Sequence, residues 1–290
     1  MVEIDASTKL LGLIGNPVGG SLSPKLHNHL IQQMGMNYCY LAFSVEREDL
    51  AAAIEGARAL GVNGLNVTIP YKVDVFREMD GVSESAEAIS AVNTIVFKED
   101  GELYGDNTDW RGFLKSLEVN GFHPGGKRCL VFGAGGAARA VLYGLVRAGA
   151  ESVLVANRTA SKARELVEEL EGSGEDTELN SAGLSRLPSR SKLAEYDLFV
   201  NATSVGSGEL TRESVWEPGF YSCGDQVFFD LIYNPDPTKF LRTAANRGAK
   251  TIGGLDMLIL QGLESLRIWT DVEFDRRKAL SELREILEVC

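Results

Sequence analysis

One stretch of the chain has the residue types and spacing to hold a dinucleotide: Val131-Phe132-Gly133-Ala134-Gly135-Gly136-Ala137-Ala138. It fits the pattern G-x-G-x-x-(G/A). Gly133 permits a tight turn after a strand, Gly135 lets the backbone approach a pyrophosphate, and Ala138 keeps the third position small where helix and strand pack. A helix opening at Gly136 and Ala137 would aim its first N–H groups at the phosphates. Glycine-rich turns close many strands, so the motif alone is weak. Here an apolar strand (CLVFG) precedes it, an Ala-rich helix (Ala137–Ala148) follows, and a second strand (SVLVA) returns on time. About 20 residues after the glycines an NAD site would place an acidic residue for the ribose 2′-hydroxyl. This chain has Asn157-Arg158-Thr159 there instead. A guanidinium attracts a 2′-phosphate in two-pronged fashion, and Lys162, one turn on, adds a second positive charge. The plainer alternative is that Arg158 is a solvated surface residue. The cofactor implied is NADP.

Three other segments could serve a substrate. Ser21-Leu22-Ser23-Pro24 precedes a helix. Ser23 is expected as its N-cap with Pro24 at the first helical position, and the two hydroxyls beside a helix N-terminus could equally receive a carboxylate. In Asn66-Val67-Thr68-Ile69-Pro70-Tyr71-Lys72, two polar residues share one side of an apolar strand, and Lys72 enters a helix at its first turn. A cation there opposes the helix dipole, which calls for a reason. Gly105-Asp106-Asn107-Thr108-Asp109-Trp110-Arg111-Gly112 gathers polar side chains at the junction of two halves of the chain, where small-molecule sites tend to form. Hydride reduction of a carbonyl needs a proton donor beside the oxygen, and a lysine held by an aspartate can supply it. Lys72 and Asp109 are the candidates, an ordinary surface ion pair being the alternative.

The elements that must position these groups read as α/β throughout, with mainly parallel sheets. In the first third, strand is expected at Lys9–Gly15, helix at Pro24–Met34, strand at Tyr38–Ser44 and helix at Arg47–Leu60. Strand at Gly64–Ile69 and helix at Tyr71–Glu78 follow, then a hairpin of Thr94–Lys98 with Glu102–Tyr104 through Asp100-Gly101. A second run begins near Arg128 and continues through Val153–Ala156, Leu198–Asn201 and Val227–Leu231. Glu171–Gly183, rich in Gly, Ser and acid, reads as surface loop, and Met257–Val289 as one helical segment by periodicity.

With 290 residues and 44% hydrophobic side chains, the chain can fill two domains. A net charge of −12 argues against nucleic acid and anionic membrane surfaces, which reward clustered Lys and Arg. No basic-then-apolar leader opens the sequence, and no apolar run approaches a bilayer span. Cys39, Cys129, Cys223 and Cys290 show no metal-ligand spacing, and with His27, His29 and His123 they suggest no metal site. Reduced thiols in a cytoplasmic protein are the expectation, with a homodimer left open.

GNPVGGSLSPKLHN, NVTIPYK, AVNT, GDNTDWRG, VFGAGGAARA, NRTASKA, NATSVG, DLIYNP and GGLDMLILQ, in this order and spacing, resemble the shikimate dehydrogenase family over nearly the whole chain. The resemblance implies an N-terminal α/β substrate domain, residues 1–109 joined by 254–290, and a Rossmann-like NADP-binding domain, 110–253. It implies reduction of 3-dehydroshikimate to shikimate by NADPH, in aromatic amino acid biosynthesis. Ser21 and Ser23 would bind the substrate carboxylate, and Thr68, Asn93, Tyr233 and Gln261 its ring and hydroxyls. Lys72 and Asp109 would be the catalytic pair, with Lys72 as acid–base. Asn157, Arg158, Thr159 and Lys162 would hold the 2′-phosphate, with Ile232 and Gly254 against the nicotinamide. Three positions depart from the family's habit: Gly20 where His is usual, Lys162 where Arg is common, and Asp256 in place of a frequent Gly. A relative of broader substrate or NAD use, acting on quinate as well, and a non-catalytic shikimate sensor are the competing readings.

Overall fold

The structure, a computed structural model, describes residues 4–171, 176–216 and 224–287, without the side chain of Arg190. The chain forms two compact units. One holds the residues up to Thr108 together with Ile259–Leu287, and the other holds Asp109–Leu258.

In the first unit β1 (Lys9–Gly15), α1 (Ser23–Gln33), β2 (Tyr38–Ser44), α2 (Leu50–Ala59) and β3 (Gly64–Val67) alternate. After them come α3 (Lys72–Phe76), β4 (Gly81–Val82), α4 (Glu84–Ile89), β5 (Thr94–Phe97) and β6 (Leu103–Asp106). The sheet order is β2-β1-β3-β5-β6-β4. β1 runs parallel to β2 and β3, while β5 pairs antiparallel with β3 and β6. Leu11, Leu13 and Ile14 of β1 are all buried, as expected of a strand covered on both faces. The β5–β6 hairpin turns at Gly101, whose φ of 88° suits glycine. β1 and β3 run parallel and finish at the same end of the sheet, where a Cβ on Gly15 would meet Thr68 and Val18, whose carbonyl accepts from Ser21 N–H.

The second unit begins with α5 (Asp109–Val119) and β7 (Arg128–Phe132), then α6 (Gly136–Arg147), β8 (Ser152–Asn157), α7 (Ala160–Leu170) and β9 (Glu178–Gly183). It continues through α8 (Arg190–Leu193), β10 (Leu198–Asn201), β11 (Val227–Asp230), α9 (Lys239–Ala245) and β12 (Lys250–Ile252). All its strands are parallel, in the order β12-β11-β10-β7-β8-β9. That is a doubly wound sheet whose strand order reverses at β7, beside β10, the crevice where such folds take ligands. Cys129, Leu130, Val131 and Phe132 are fully buried, so β7 is the central strand its apolar run predicts. α10 (Leu255–Thr270) carries the chain back into the first unit, which ends with α11 (Arg276–Leu287).

Several expectations are corrected. Glu178–Gly183 is not loop but β9, an edge strand paired parallel with β8. Its polar composition suits a strand with one neighbour and wet faces. Residues 172–175 of the expected loop lie outside the described residues. The helical segment expected over Met257–Val289 starts at Leu255 and is broken after Thr270, where Asp271 takes a φ of 54°. Asp275 Oδ1 accepts from the N–H groups of Arg277 and Lys278 (3.1 Å each), opening α11 afresh. Glu288 and Val289 lie outside the described residues. The strand at Gly64 stops at Val67 and the following helix is shortened to Lys72–Phe76.

Candidate active site

The glycine turn is positioned by backbone. Gly133 has a φ of 116°, open to glycine, and a Cβ there would stand 3.0 Å from Ala202 O. Its N–H donates to Ala156 O (2.9 Å), while Ala202 N–H donates to Phe132 O (2.9 Å). The turn is thus pinned between the ends of β8 and β10. Gly135 is the N-cap of α6 without a side-chain cap, and a Cβ on it would meet nothing within 4 Å. Ala138 is fully buried against the sheet. The first N–H groups of α6, at Gly136 and Ala137, cannot bond within the helix and carry its positive dipole end. This open cradle suits a pyrophosphate. At the end of β8, Asn157 Nδ2 donates to Thr159 O (3.0 Å), closing the turn that presents Arg158. Arg158, Thr159 and Lys162 are exposed at the start of α7. The structure therefore brings the glycine turn and the Arg158 group to one end of one sheet.

Ile232, Tyr233 and Gly254 follow β11 and β12 in the same unit. Gly254 N–H donates to Ile232 O (3.1 Å), and a Cβ on Gly254 would collide with Leu231 O, so only glycine fits. Sequence reasoning singled out DLIYNP and NATSVG without assigning roles to Asp230 and Asn201. The structure makes them the brace of this loop. Asp230 Oδ1 accepts from Ile232 N–H (3.1 Å) and Asn201 Nδ2 (3.0 Å), and Oδ2 accepts from Thr238 Oγ1 (2.7 Å). Burial pushes the Asp230 carboxyl up to about 6, against the pull of these hydrogen bonds. An acid closing the apolar strand Val227–Asp230 is the sequence signal that could have found it.

In the first unit, Ser23 is not the N-cap of α1. Leu22 holds that place, Pro24 follows within the first turn, and Ser23 N–H donates instead to Ser21 Oγ (3.2 Å). Ser23 already has helical backbone, so its hydroxyl is released from capping. Tyr40, fully buried behind it, has its phenol pushed well above the ordinary value by burial, opposed by a hydrogen bond with Ser23. Thr68 is seated by its own N–H donating to Ile14 O (3.0 Å), and a Cβ on Gly15 would strike its methyl. Lys72 opens α3, and its carbonyl accepts from Val92 N–H (2.8 Å), tying the helix to the segment just before β5 that carries Asn93. Asn93 is buried and joined to Gln261 of α10: Asn93 Nδ2 donates to Gln261 Oε1 (3.3 Å). Asn93 Oδ1 accepts from Thr108 N–H (2.8 Å) and Thr94 Oγ1 (2.9 Å). Asn66, Thr94, Thr108 and Ser265 in this cluster had no assigned role. Asp109, buried, is the first residue of α5.

The pattern of the shikimate dehydrogenase substrate-binding domain matches residues 13–95, and that of shikimate/quinate 5-dehydrogenase residues 119–243. A shikimate dehydrogenase (NADP(+)) of Moorella thermoacetica is 46% identical over 277 residues, 94% of this chain and 92% of that protein. The chain belongs to the shikimate dehydrogenase family. A crystal structure of a shikimate dehydrogenase in complex with NADP+ superposes with a TM-score of 0.89 at 37% identity, covering 99% of this chain and 98% of that one. The shikimate dehydrogenase of Thermus thermophilus, in complex with NADP(H) and shikimate, gives 0.81 at 35% identity, covering 96% and 99%. Members of this shikimate dehydrogenase family share the two-domain α/β frame seen here, an N-terminal sheet followed by a Rossmann-like one. Among the described residues no helix is long and apolar enough to cross a membrane.

Proposed function

We propose that the chain catalyses the reversible reduction of 3-dehydroshikimate to shikimate with NADPH, a step of aromatic amino acid biosynthesis, in the cytoplasm. The observation that carries it is the exposed Arg158 beside the Gly133 turn, where an NAD site would set a carboxylate, in a chain of this family. Gly133, Gly135, Gly136 and Ala137 would cradle the pyrophosphate, and Asn157, Arg158, Thr159 and Lys162 the 2′-phosphate. Ile232 and Gly254, held by the Asp230 brace, would face the nicotinamide. NADPH, when bound, supplies the hydride.

Lys72 gives a proton to the carbonyl oxygen as it becomes a hydroxyl and takes it back in the oxidation direction. Asp109 holds the ammonium in place. As a carboxylate in the first turn of α5 it sits favourably with that helix's dipole. Ser21 and Ser23 receive the substrate carboxylate, and Thr68, Asn93, Tyr233 and Gln261 read its ring hydroxyls. Residues 1–109 with 254–290 carry substrate and catalysis in this reading, and 110–253 the cofactor. The four cysteines are scattered through the sequence without disulfide-framework spacing, which supports a reducing compartment.

The test is growth of NADPH absorbance when purified protein meets shikimate and NADP+. Folded protein that turns over neither shikimate nor quinate, with either NADP+ or NAD+, overturns the assignment. Turnover of quinate at comparable kcat/KM, or preference for NAD+, replaces it with the broader enzyme.

A further inference from the structure

Behind the residues assigned to substrate lies a buried chain of polar side chains drawn from five elements or their ends. Tyr40 Oη, on β2, donates to Asn66 Oδ1 (2.8 Å) on β3. Asn66 Nδ2 donates to Asn93 O (3.1 Å) and to Ser265 Oγ (3.0 Å) on α10. Ser265 Oγ in turn lies 2.9 Å from Thr94 Oγ1 and 3.1 Å from Thr108 Oγ1, with Gln261 O at 3.1 Å one turn back on its own helix. Thr94 Oγ1 donates to Asn93 Oδ1, and Thr108 Oγ1 accepts from Asn93 Nδ2 (2.9 Å) and lies 3.3 Å from Gln261 Oε1. Tyr40, Thr94, Thr108 and Ser265 are fully buried.

The donors and acceptors impose an order on this cluster. An amide such as Asn66 can face its neighbours either way round. Asn93 O can only accept, so the nitrogen of Asn66 points at it and at Ser265, and its oxygen receives the tyrosine hydroxyl. Asn93 Oδ1 receives both Thr108 N–H and Thr94 O–H, so its nitrogen faces Thr108 and Gln261. The oxygen end of Gln261 is thereby the end turned toward Asn93 and Thr108. Ser265 is the junction: it accepts from Asn66, meets two threonine hydroxyls, and stands one helical turn from Gln261.

We propose that Ser265, with Asn66, Thr94 and Thr108, is a positioning residue for substrate. By holding the Thr94 and Thr108 hydroxyls it keeps the Asn93 and Gln261 amides in the order they present at the site, and so tunes which hydroxyl pattern on the ring is accepted. The proposal rests on the functional reading above for the identity of the substrate. It does not rest on that reading for the amide order, which follows from the hydrogen bonds alone. Ser265 touches no reacting atom in this scheme and acts on the side-chain amides of Asn93 and Gln261 only through Thr94 and Thr108.

The test is Ser265→Ala, with Ser265→Cys as a variant of nearly the same size that keeps a weak donor. Removing a buried hydroxyl that several partners share leaves them to rearrange, worth about three- to tenfold in an affinity. KM for shikimate is expected to rise by about that factor in Ser265→Ala and less in Ser265→Cys. The KM for NADP+, whose assigned residues lie in the other unit, is expected to stay unchanged. In parallel, the side-chain amide resonances of Asn93 and Gln261 in the ligand-free protein should broaden or shift in Ser265→Ala. A lowered melting temperature with unchanged shikimate KM and unchanged amide resonances makes Ser265 merely structural and overturns the proposal. If the wild-type protein proves inactive on shikimate, the functional reading fails. The amide resonances then decide the ordering role independently.

Discussion

His27 offers a sharp test of how burial controls this protein's response to acid. Its ring is fully buried on α1, stacked on Tyr40 with centroids 4.2 Å apart and 5.8 Å from that of Trp269. Among the described residues neither ring nitrogen has a hydrogen-bond partner of good geometry. Burial lowers its pKa from 6.5 to about 3, a contact with Asn66 opposing this only in part. The folded protein therefore keeps His27 neutral while the unfolded chain takes up a proton. The stability at stake is fully present above the unfolded value and is lost as pH falls from 6.5 toward about 3. Each pH unit in that window is worth about 1.4 kcal/mol, so the loss reaches about 3 kcal/mol at about pH 4.5. Replacing His27 by Leu, close to it in volume, abolishes the titration and leaves a pH-independent packing cost from the lost stacking. Urea unfolding of both proteins, followed by tryptophan fluorescence from about pH 7.5 to about 4.5, isolates this one group, since every other titration cancels in the difference. The variant should gain on the wild type steadily below about pH 6.5. Two parallel stability curves would show that His27 is charged, or solvated, in the folded state, and the burial argument would fail.

Other expected outcomes follow from the same geometry. Lys72→Ala should lower turnover by ~10²–10⁴-fold, the range for a lost acid–base group, while NADPH affinity is retained. An equal loss of NADPH binding would reassign Lys72 to the cofactor. Arg158→Asp should cut the NADP/NAD ratio of kcat/KM by about 10- to 100-fold, the worth of a charged hydrogen bond, and an unchanged ratio removes the 2′-phosphate clamp. Asp230 behaves oppositely to His27. Its folded pKa of about 6 lies above the ordinary 3.8, so the fold's preference for the protonated acid is fully present below 3.8 and is lost as pH rises through 6. Asp230→Asn should therefore gain on the wild type by about 2 kcal/mol between about pH 4 and pH 6.5, as read from urea midpoints. A constant difference would mean that Asp230 is not desolvated.

Much of this molecule is decided by neighbours along the chain. A turn that must carry φ near 116° at Gly133, then an uncapped helix N-terminus, is written in eight consecutive residues. The same holds for Arg158, which stands at the end of a strand whose length the apolar run already sets. Lys9–Gly15, Tyr38–Ser44 and Leu198–Asn201 are strands with the bounds their composition predicts. These features depend on backbone conformation and strand length, both short-range quantities.

Tertiary structure alone decided the rest. Glu178–Gly183 looks like loop until β8 supplies a partner, because an edge strand with wet faces has no apolar alternation to read. The break at Asp271 falls within a pattern that keeps helical spacing on either side of it. A serine before proline satisfies the local rule for a cap; the fold begins the helix one residue earlier and turns the Ser23 hydroxyl from capping to Tyr40. The cluster around Ser265 joins residues as far apart as Asn66 and Ser265, and polar side chains show no periodicity that marks them as partners. Local sequence thus determined the cofactor turn and most of the strands. Only folding, by bringing distant donors and acceptors out of water together, decided how the buried amides are oriented, since an amide's direction is set by its partners and not by its own type.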